Sequence, residues 1–476
     1  MKKKITVLFL LLSLIASHSA CSGESQSAPD TTAAVTETAA VEEIDHFPTL
    51  PDTDLDGFTL RIAIGETAKN KFVYTEEETG DVFNDALYNS LAFVSETFNA
   101  NVEMIYHAND LDSVKNYATP ILLAQEDVFD LLAGHEGQMW SMSLSDYFHN
   151  VREFKYMDFS QPWYPVFSND EYEINGKQYI FSAYMSQYSI SGARAVFINK
   201  GIAKDYDIEV PYQLVKDGKW TIDKLCEMAK SIYRDVNGNG KKDEADLYGM
   251  LGFKKFYGWQ QAYVNCYVEN DDGTIGVNYD KERLITATEK LSNLIHDSEG
   301  VFMTGTEPDH TIFTEGRSLF HTDRIIWLTS NAFRESDVDY GVLPIPKYDE
   351  AQKDYVTPTS DFPIASPVTA ADTDKISFMV EALSTSGIER VIPTYFDTTL
   401  SMKYARDDET VEMLQIIRAT ISSDLAMINT SGGIDGLGRA MMYIISNPKK
   451  GMASYLESID KKEQKIIEKI NEFFAD

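Results

Sequence analysis

The strongest constraint on the fold lies between Phe58 and Gly134, where short apolar runs alternate with longer segments of helical period. Phe58-Thr-Leu-Arg-Ile-Ala-Ile64 begins as an alternating pattern and turns fully apolar, as a strand entering the middle of a sheet does. Phe83, Leu87, Leu91 and Phe93 mark a helix after it. A strand is expected over 101–106, a helix over 111–123 and a third strand over 128–133, stopping at Gly134. Strands separated by helices pair in parallel, since a parallel neighbour needs a long crossover back to the same edge. The segment therefore predicts an α/β lobe.

Beyond Gly134 the alternation breaks. Residues 140–165 are irregular and aromatic, and Asn175-Gly176 predicts a hairpin turn between 172–174 and 177–183. A second α/β region opens at Ala195-Val-Phe-Ile-Asn199 and takes in helices over 222–233 and 281–296. A strand-like stretch over 317–327 follows, and Tyr340-Gly-Val-Leu-Pro-Ile-Pro346 is a short strand stopped by prolines. From Lys375 onward the pattern is mainly helical, clearest over 411–421 and 466–474. The body from about residue 52 to 476 is too long for one core and suits two lobes.

At the start of the chain, Lys2, Lys3 and Lys4 precede an apolar run over 5–15 that is too short for a permanent membrane span. Residues 1–20 read as a signal peptide. Small residues Ala16, Ser17, Ser19 and Ala20 lead to Cys21, the arrangement of a bacterial lipoprotein whose cysteine is lipidated and becomes the mature N-terminus. His18 stands where leucine is usual, and ordinary cleavage with release is the alternative. Residues 21–51, rich in Ser, Thr, Ala, Glu and Pro, predict a disordered tether. No later stretch is long and apolar enough for a transmembrane helix, so the expected membrane contact is the N-terminal lipid alone.

With 75 acidic against 42 basic residues the net charge is −33, which excludes nucleic acid as a partner because phosphate binding needs a basic footprint. Beyond that, it implies only solubility outside the cell. Cys226 and Cys266 are the only cysteines after Cys21; they could pair or stand as two buried thiols.

One motif is sharply patterned. Asp235, Asn237, Asn239, Asp243 and Asp246 occupy positions one, three, five, nine and twelve of a loop with Gly240 at six, the spacing of a calcium loop in which Lys241 offers its carbonyl. Asp246 stands where a bidentate Glu is usual, and the flanks do not make a paired EF-hand. A single structural calcium site is the expectation; an Asn/Gly-rich turn with solvated carboxylates is the alternative.

Several blocks in order carry a family resemblance: Phe129-Asp-Leu-Leu-Ala-Gly134, Ile198-Asn-Lys200, Gly218-Lys-Trp220-Thr-Ile-Asp-Lys-Leu225, the calcium-like loop followed by Leu247-Tyr-Gly249, Phe313-Thr-Glu-Gly316-Arg-Ser-Leu-Phe320, and Tyr340 to Asp349. Together they resemble the extracellular solute-binding proteins, family 1, of ABC transporters, particularly the large lipoproteins of Gram-positive anaerobes. The resemblance implies a type II periplasmic-binding-protein fold, two α/β lobes joined by crossover segments around a ligand cleft. It implies a monomer, lipid-anchored on the outer face of the cytoplasmic membrane, that closes on a sugar or oligosaccharide. That ligand would pass to ABC permease transmembrane subunits without any chemistry. Crossovers are expected near 179–195, 340–346 and 384–393, giving lobe one as 52–185 with 347–386 and lobe two as 190–340 with 388–476.

Sugar sites combine flat aromatic platforms with carboxylates, amides and arginines that bond the hydroxyls. Trp327 is the first candidate, at roughly the place where related proteins stack a sugar ring, with Asp323 close by. Trp259 lies in Tyr257-Gly-Trp-Gln-Gln261, an aromatic and amide run after a glycine. Glu136 and Trp140 follow a strand's carboxyl end, where ligands bind in open α/β sheets, and Asp361 occupies a comparable loop. Catalytic motifs are missing: there is no HExxH, GxSxG or Walker loop, and the dispersed histidines do not suggest zinc. The alternatives are a secreted glycoside hydrolase, for which no carboxylate pair is singled out, and a calcium-stabilised structural or adhesion lipoprotein.

Overall fold

The computed structural model describes residues 45–71, 74–108, 113–252, 256–303, 310–397, 405, 407–429 and 436–475. The signal peptide over 1–20, Cys21 and most of the tether lie outside the described residues. The tether reading to residue 51 needs one correction, because ordered structure begins earlier. Phe47 is buried, stacks on Phe93 at 5.4 Å and meets Phe98 edge-on at 4.8 Å, and Thr49 Oγ1 donates to Glu381 at 2.7 Å. Two large apolar residues, Phe47 and Leu50, suffice to dock a segment whose composition otherwise reads as unfolded.

The first lobe follows the alternation seen in the sequence. Strand β1 (Phe58–Gly65) pairs in parallel with β2 (Ala100–His107) along its whole length, and with β3 (Leu131–Ala133) through Ile62 and Ala63. Strand β1 is central and covered on both faces, which is why Leu60, Ile62, Ala63 and Ile64 form a continuous buried run. Helix α1 (Val82–Phe98) is started by Asp81, whose carboxylate accepts from the Phe83 and Asn84 amides. It ends at Asn99 in a left-handed conformation, φ 50°, with Leu87, Val94 and Phe98 buried. Helix α2 (Ser113–Ala124) returns to β3, and α3 (Glu136–Ser143) follows it with Gly134 and His135 between them. A late strand, Ile364–Ala365, closes the sheet antiparallel to β3.

The second lobe has a mixed sheet. Its path runs from Tyr340–Leu343 through β4 (Arg194–Asn199) and Ser318–Arg324 to Leu247–Gly252 and Tyr233–Arg234, with Val301–Met303 also on Leu247–Gly252. Strand β4 is wholly buried and antiparallel to both neighbours, because it enters from the first lobe rather than from a helical crossover of its own lobe. The helix expected over 222–233 spans Ile222–Ala229; residues 230–232 turn out of it, and Tyr233 begins the edge strand Tyr233–Arg234. Asn175 and Gly176 do form a tight turn, φ 52° and 74°, bridged by Ile174 and Lys177. The flanks do not extend the hairpin: Tyr172 ends a helix (Val166–Tyr172) and Phe181 pairs with Ile364.

The chain passes between the lobes three times. The first passage runs between Phe181, bonded to the first sheet, and Arg194. On the second, residues 347–360 stay bonded to the second lobe: Lys347 pairs with Trp220 and Ile222, and Thr357–Pro358 lies along Ile421–Ser422. The first lobe is rejoined near Ile364, later than residue 347 as read from the sequence. The third passage follows the helix Thr373–Ser386, with Ile392, Tyr395 and Phe396 already in the second core. The last helix, Met452–Ala475, brings Phe474 back onto Trp140 of the first lobe. No helix among the described residues is long and apolar enough to cross a membrane.

Candidate functional site

The passages between the lobes pack backbone to backbone. A Cβ on Gly192 would come within 2.3 Å of the Ser360 carbonyl, and one on Gly387 within 2.0 Å of the Tyr184 carbonyl, so only glycine lets the strands touch there. Beside them lies a cavity of about 580 Å³. One wall comes from the first lobe, the segment between β1 and α1 from Tyr74 to Leu87 together with Tyr106 on β2; the other comes from Ile326, Thr329 and Arg334 of the second lobe. Gln187 and Ser191 of the first passage and Tyr395 of the third complete it.

Internal bonds fix the shape of the first-lobe wall. Thr75 Oγ1 donates to Asn84 Oδ1 at 2.9 Å, Asn84 Nδ2 to the Glu77 carbonyl at 2.8 Å, and the Thr79 and Gly80 amides to Asp85 Oδ1. The rings of Tyr74, Phe83, Tyr106 and Tyr395 and the carboxylates of Glu76 and Asp81 thus line one space. Flat apolar faces beside charged acceptors suit a ligand with both C–H faces and hydroxyls.

A second polar group lies buried between the lobes. The Asp361 amide donates to Glu136 Oε2 at 2.6 Å, while the Asp361 carboxylate accepts from Tyr172 Oη at 3.0 Å and from Ser182 Oγ. Burial pushes the Glu136 carboxyl up to about 7, against the opposing pull of the Asp361 amide, Arg439 and Arg194. Arg194 donates to Ser360 Oγ at 3.1 Å, and both guanidiniums face the Tyr257 ring, at 4.8 Å for Arg194 and 5.7 Å for Arg439. Along the first passage, Ser189 Oγ, Ser191 Oγ and Arg194 Nε are buried without a protein partner, as is Trp327 Nε1. Each such atom costs about 1–3 kcal/mol if nothing meets it.

The sequence candidates fall into three places. Glu136 and Asp361 are brought together by the hydrogen bond just described. Trp327 is half-buried on a turn (Ile325–Thr329) whose Ile326 and Thr329 line the cavity, and its ring lies 4.5 Å from that of His310. Asp323 is buried beneath it, its Oδ1 accepting from the Arg324 amide at 2.7 Å. Trp259 is 1% exposed, packed on Phe256 and bonded through Nε1 to Thr322, and Trp140 is 0% exposed and stacked on Phe474. Both rings are core in this conformation. The first-lobe wall and the pair Arg194 and Arg439 were not anticipated. The available signal was Asp81-Val-Phe-Asn84, a helix-capping start that places a carboxylate and a ring together after a central strand.

The patterned loop is self-contained. Asp235 accepts from the Gly238 and Gly240 amides at 2.7 and 2.8 Å, and Gly238 and Gly240 take φ of +69° and +68°. Asn237 and Asn239 donate to Asp243, and the buried Asp246 accepts from Val236, Asp243 and Tyr233. The groups that gather on Asp243 are the Asn237 and Asn239 side-chain amide nitrogens, so the loop closes on its own carboxylates by hydrogen bonds.

No protein-family model matches the chain, and no curated protein matches it. Solved structures do. UgpB from Mycobacterium tuberculosis in complex with glycerophosphocholine is similar with a TM-score of 0.57 at 14% identity, covering 86% of this chain and 98% of that one. An ABC substrate-binding protein of Listeria monocytogenes in complex with cycloalternan gives 0.55 at 14% identity, covering 86% and 100%. The GacH receptor of Streptomyces glaucescens, solved unliganded and with acarbose, gives 0.54 at 11% identity, covering 87% and 99%. The two lobes, the three passages and the cavity between them accord with this likeness: the chain has the type II periplasmic-binding fold that these ABC substrate-binding proteins share.

Proposed function

We propose that this protein is a lipid-anchored extracellular solute-binding protein that captures a carbohydrate and delivers it to ABC permease subunits, acting as a monomer and leaving its ligand chemically unchanged. One observation carries the reading: a cavity between the lobes lined by aromatic and acidic residues, beside the buried Ser189 and Ser191 hydroxyls and Arg194 Nε, which have no hydrogen-bond partner in the protein. A polyhydroxylated ligand supplies such partners, and closure is then driven by the difference in contact between open and closed forms. Solved structures of the same fold hold cycloalternan, acarbose and ribitol. Glu136, Asp361, Arg194 and Trp327 are proposed as ligand groups, with Tyr106 and Tyr395 as platforms.

Cys21 is proposed as the lipidated residue, with the signal peptide over 1–20 removed. Asp235, Asn237, Asn239, the Lys241 carbonyl, Asp243 and Asp246 are proposed to hold one structural calcium ion, which would clamp the edge of the second sheet. The test is a thermal-shift and calorimetric screen of the protein without its first 44 residues against mono- and oligosaccharides, polyols, amino acids and polyamines. A native-state ligand must raise the melting temperature. Stabilisation by a sugar that is recovered intact supports the proposal; sugar cleavage points to a hydrolase, and stabilisation by none of the panel removes the carbohydrate assignment.

A further inference from the structure

Near the candidate cleft, but outside its lining, the second lobe gathers three metal-ligating side chains, two histidines and the sequence candidate Asp323, that are not among the ligand groups proposed above. His321 and Asp323 alternate along the strand Ser318–Arg324 and so face the same side. His310, just before a short helix (Thr311–Thr314), lies over them. All three are buried, at 7% exposure for His310, 0% for His321 and 1% for Asp323. His310 Nδ1 is 3.0 Å from His321 Nε2, and His310 Nε2 is 3.9 Å from Asp323 Oδ2. One donor atom from each lies within 4.8 Å of the others, the only such group of His, Cys, Asp and Glu among the described residues.

We propose that His310, His321 and Asp323 bind one divalent transition-metal ion of the zinc class. An ion held at about 2.0–2.1 Å from each donor needs ligand atoms a little over 3 Å apart. One nitrogen of each imidazole and one Asp323 oxygen already lie within 4.8 Å of one another, and side-chain rotation that engages His310 through a single nitrogen, in place of its present contacts through both, brings them to that spacing. Two imidazoles and one carboxylate form a borderline donor set that suits zinc, cobalt or nickel and does not suit calcium. Asp323 Oδ2 is buried with no hydrogen-bond partner and faces His310 Nε2. The surroundings fix the ligands. Asp323 Oδ1 is held by the Arg324 amide at 2.7 Å and lies 3.5 Å from its guanidinium, which Tyr188 shares at 2.6 Å. Phe197 and Phe313 stack on His321, and Phe333 and Trp327 pack on His310. Three protein donors leave a fourth position for water.

Cobalt titration of the full chain, made metal-free by chelation and dialysis, tests this directly. One equivalent of Co2+ with a ligand-field absorption band, displaced by Zn2+ and unaffected by excess Ca2+, is the expected result. His310→Gln and Asp323→Asn should each weaken Co2+ binding at least tenfold while leaving the thermal response to calcium unchanged. No absorption band and no retained cobalt in the wild-type protein overturns the proposal, as does unchanged affinity in both variants. The wild-type titration decides the matter even where a variant fails to fold.

Discussion

The loop over 235–246 and the polar group between the lobes use the same residue types in opposite ways. In the loop, the described bonds of Asp235 and Asp243 join residues no more than six positions apart, and the carboxylates are largely saturated by amides. Between the lobes the partners are distant in sequence: Glu136 meets the Asp361 amide 225 residues away, and Arg194 meets Ser360 across 166. There, Arg194 Nε and the Ser189 and Ser191 hydroxyls are left without a hydrogen-bond partner in the protein. The local cluster closes within one short segment, whereas the interlobe cluster exists only through the fold and keeps unbonded polar atoms. This difference is the one that the proposed roles, a structural loop and a ligand-binding cluster, require.

The largest test of the contrast is Arg194→Met. Removing a buried cation beside Glu136 and Asp361 should cost about 4 kcal/mol of stability, read from the urea midpoint, and lower ligand affinity about a hundredfold. A neutral result would place the ligand elsewhere.

The protonation of the interlobe carboxylates comes next. Burial pushes Glu136 to about 7, and burial together with the Glu171 charge does the same for Asp424. Asp424 lies where the Leu425 amide donates to Glu171 at 2.8 Å across the lobes. Both values are raised, so the folded state holds protons that the unfolded chain releases. The contribution of these groups is therefore most favourable at low pH and is lost as pH rises through the interval between their ordinary values and about 7. Glu136→Gln and Asp424→Asn should each flatten that fall relative to wild type, by at most about 3 kcal/mol, in chemical denaturation followed from pH 5 to pH 8. A parallel pH dependence in wild type and both variants would contradict it.

Tyr106 sharpens the comparison from the cavity side. It is 40% exposed and lines the cavity, so Tyr106→Ala should leave stability within about 0.5 kcal/mol. Affinity for the sugar should fall about tenfold, the loss of one stacking face. Loss of stability instead would make the ring structural.

The smallest effect belongs to the loop. Chelation of calcium should lower the melting temperature by a few degrees, about 1 kcal/mol, with no change in ligand affinity. Asp235→Asn with Asp243→Asn should abolish that response. A change in affinity on chelation would mean that loop and cleft are coupled.

The two regions also differ in how well they could be read. The first lobe was legible because apolar periodicity is imposed by burial along one element: the strand at Phe58, the helix through Phe93 and the strand ending before Gly134 all occur. The helix over Lys281–His296 was legible for the same reason, with Asp280 as its cap. The hairpin beyond Asn175-Gly176 misled, because the turn is local but its flanks are claimed by Ile364 and by the helix Val166–Tyr172. Glu136 and Asp361 stood out as carboxylates in loops after strands, yet nothing in their neighbourhoods announced that they would touch. Trp140 and Trp259 looked like platforms and are packed in core, since an aromatic beside glycine and amides carries no record of what covers it.

The sequence by itself determined what acts over a few residues: the alternation that makes an α/β lobe, the caps at Asp81 and Asp280, and the turn chemistry of the loop from Asp235 to Asp246. These follow from backbone geometry and hydrogen bonds that close locally. Only the tertiary structure decided which carboxylates lose their water, which arginines face Tyr257, and that histidines eleven residues apart meet above Asp323. Desolvation and convergence are properties of the packed space between elements, and that space is set by the three passages of the chain between its lobes rather than by any one segment.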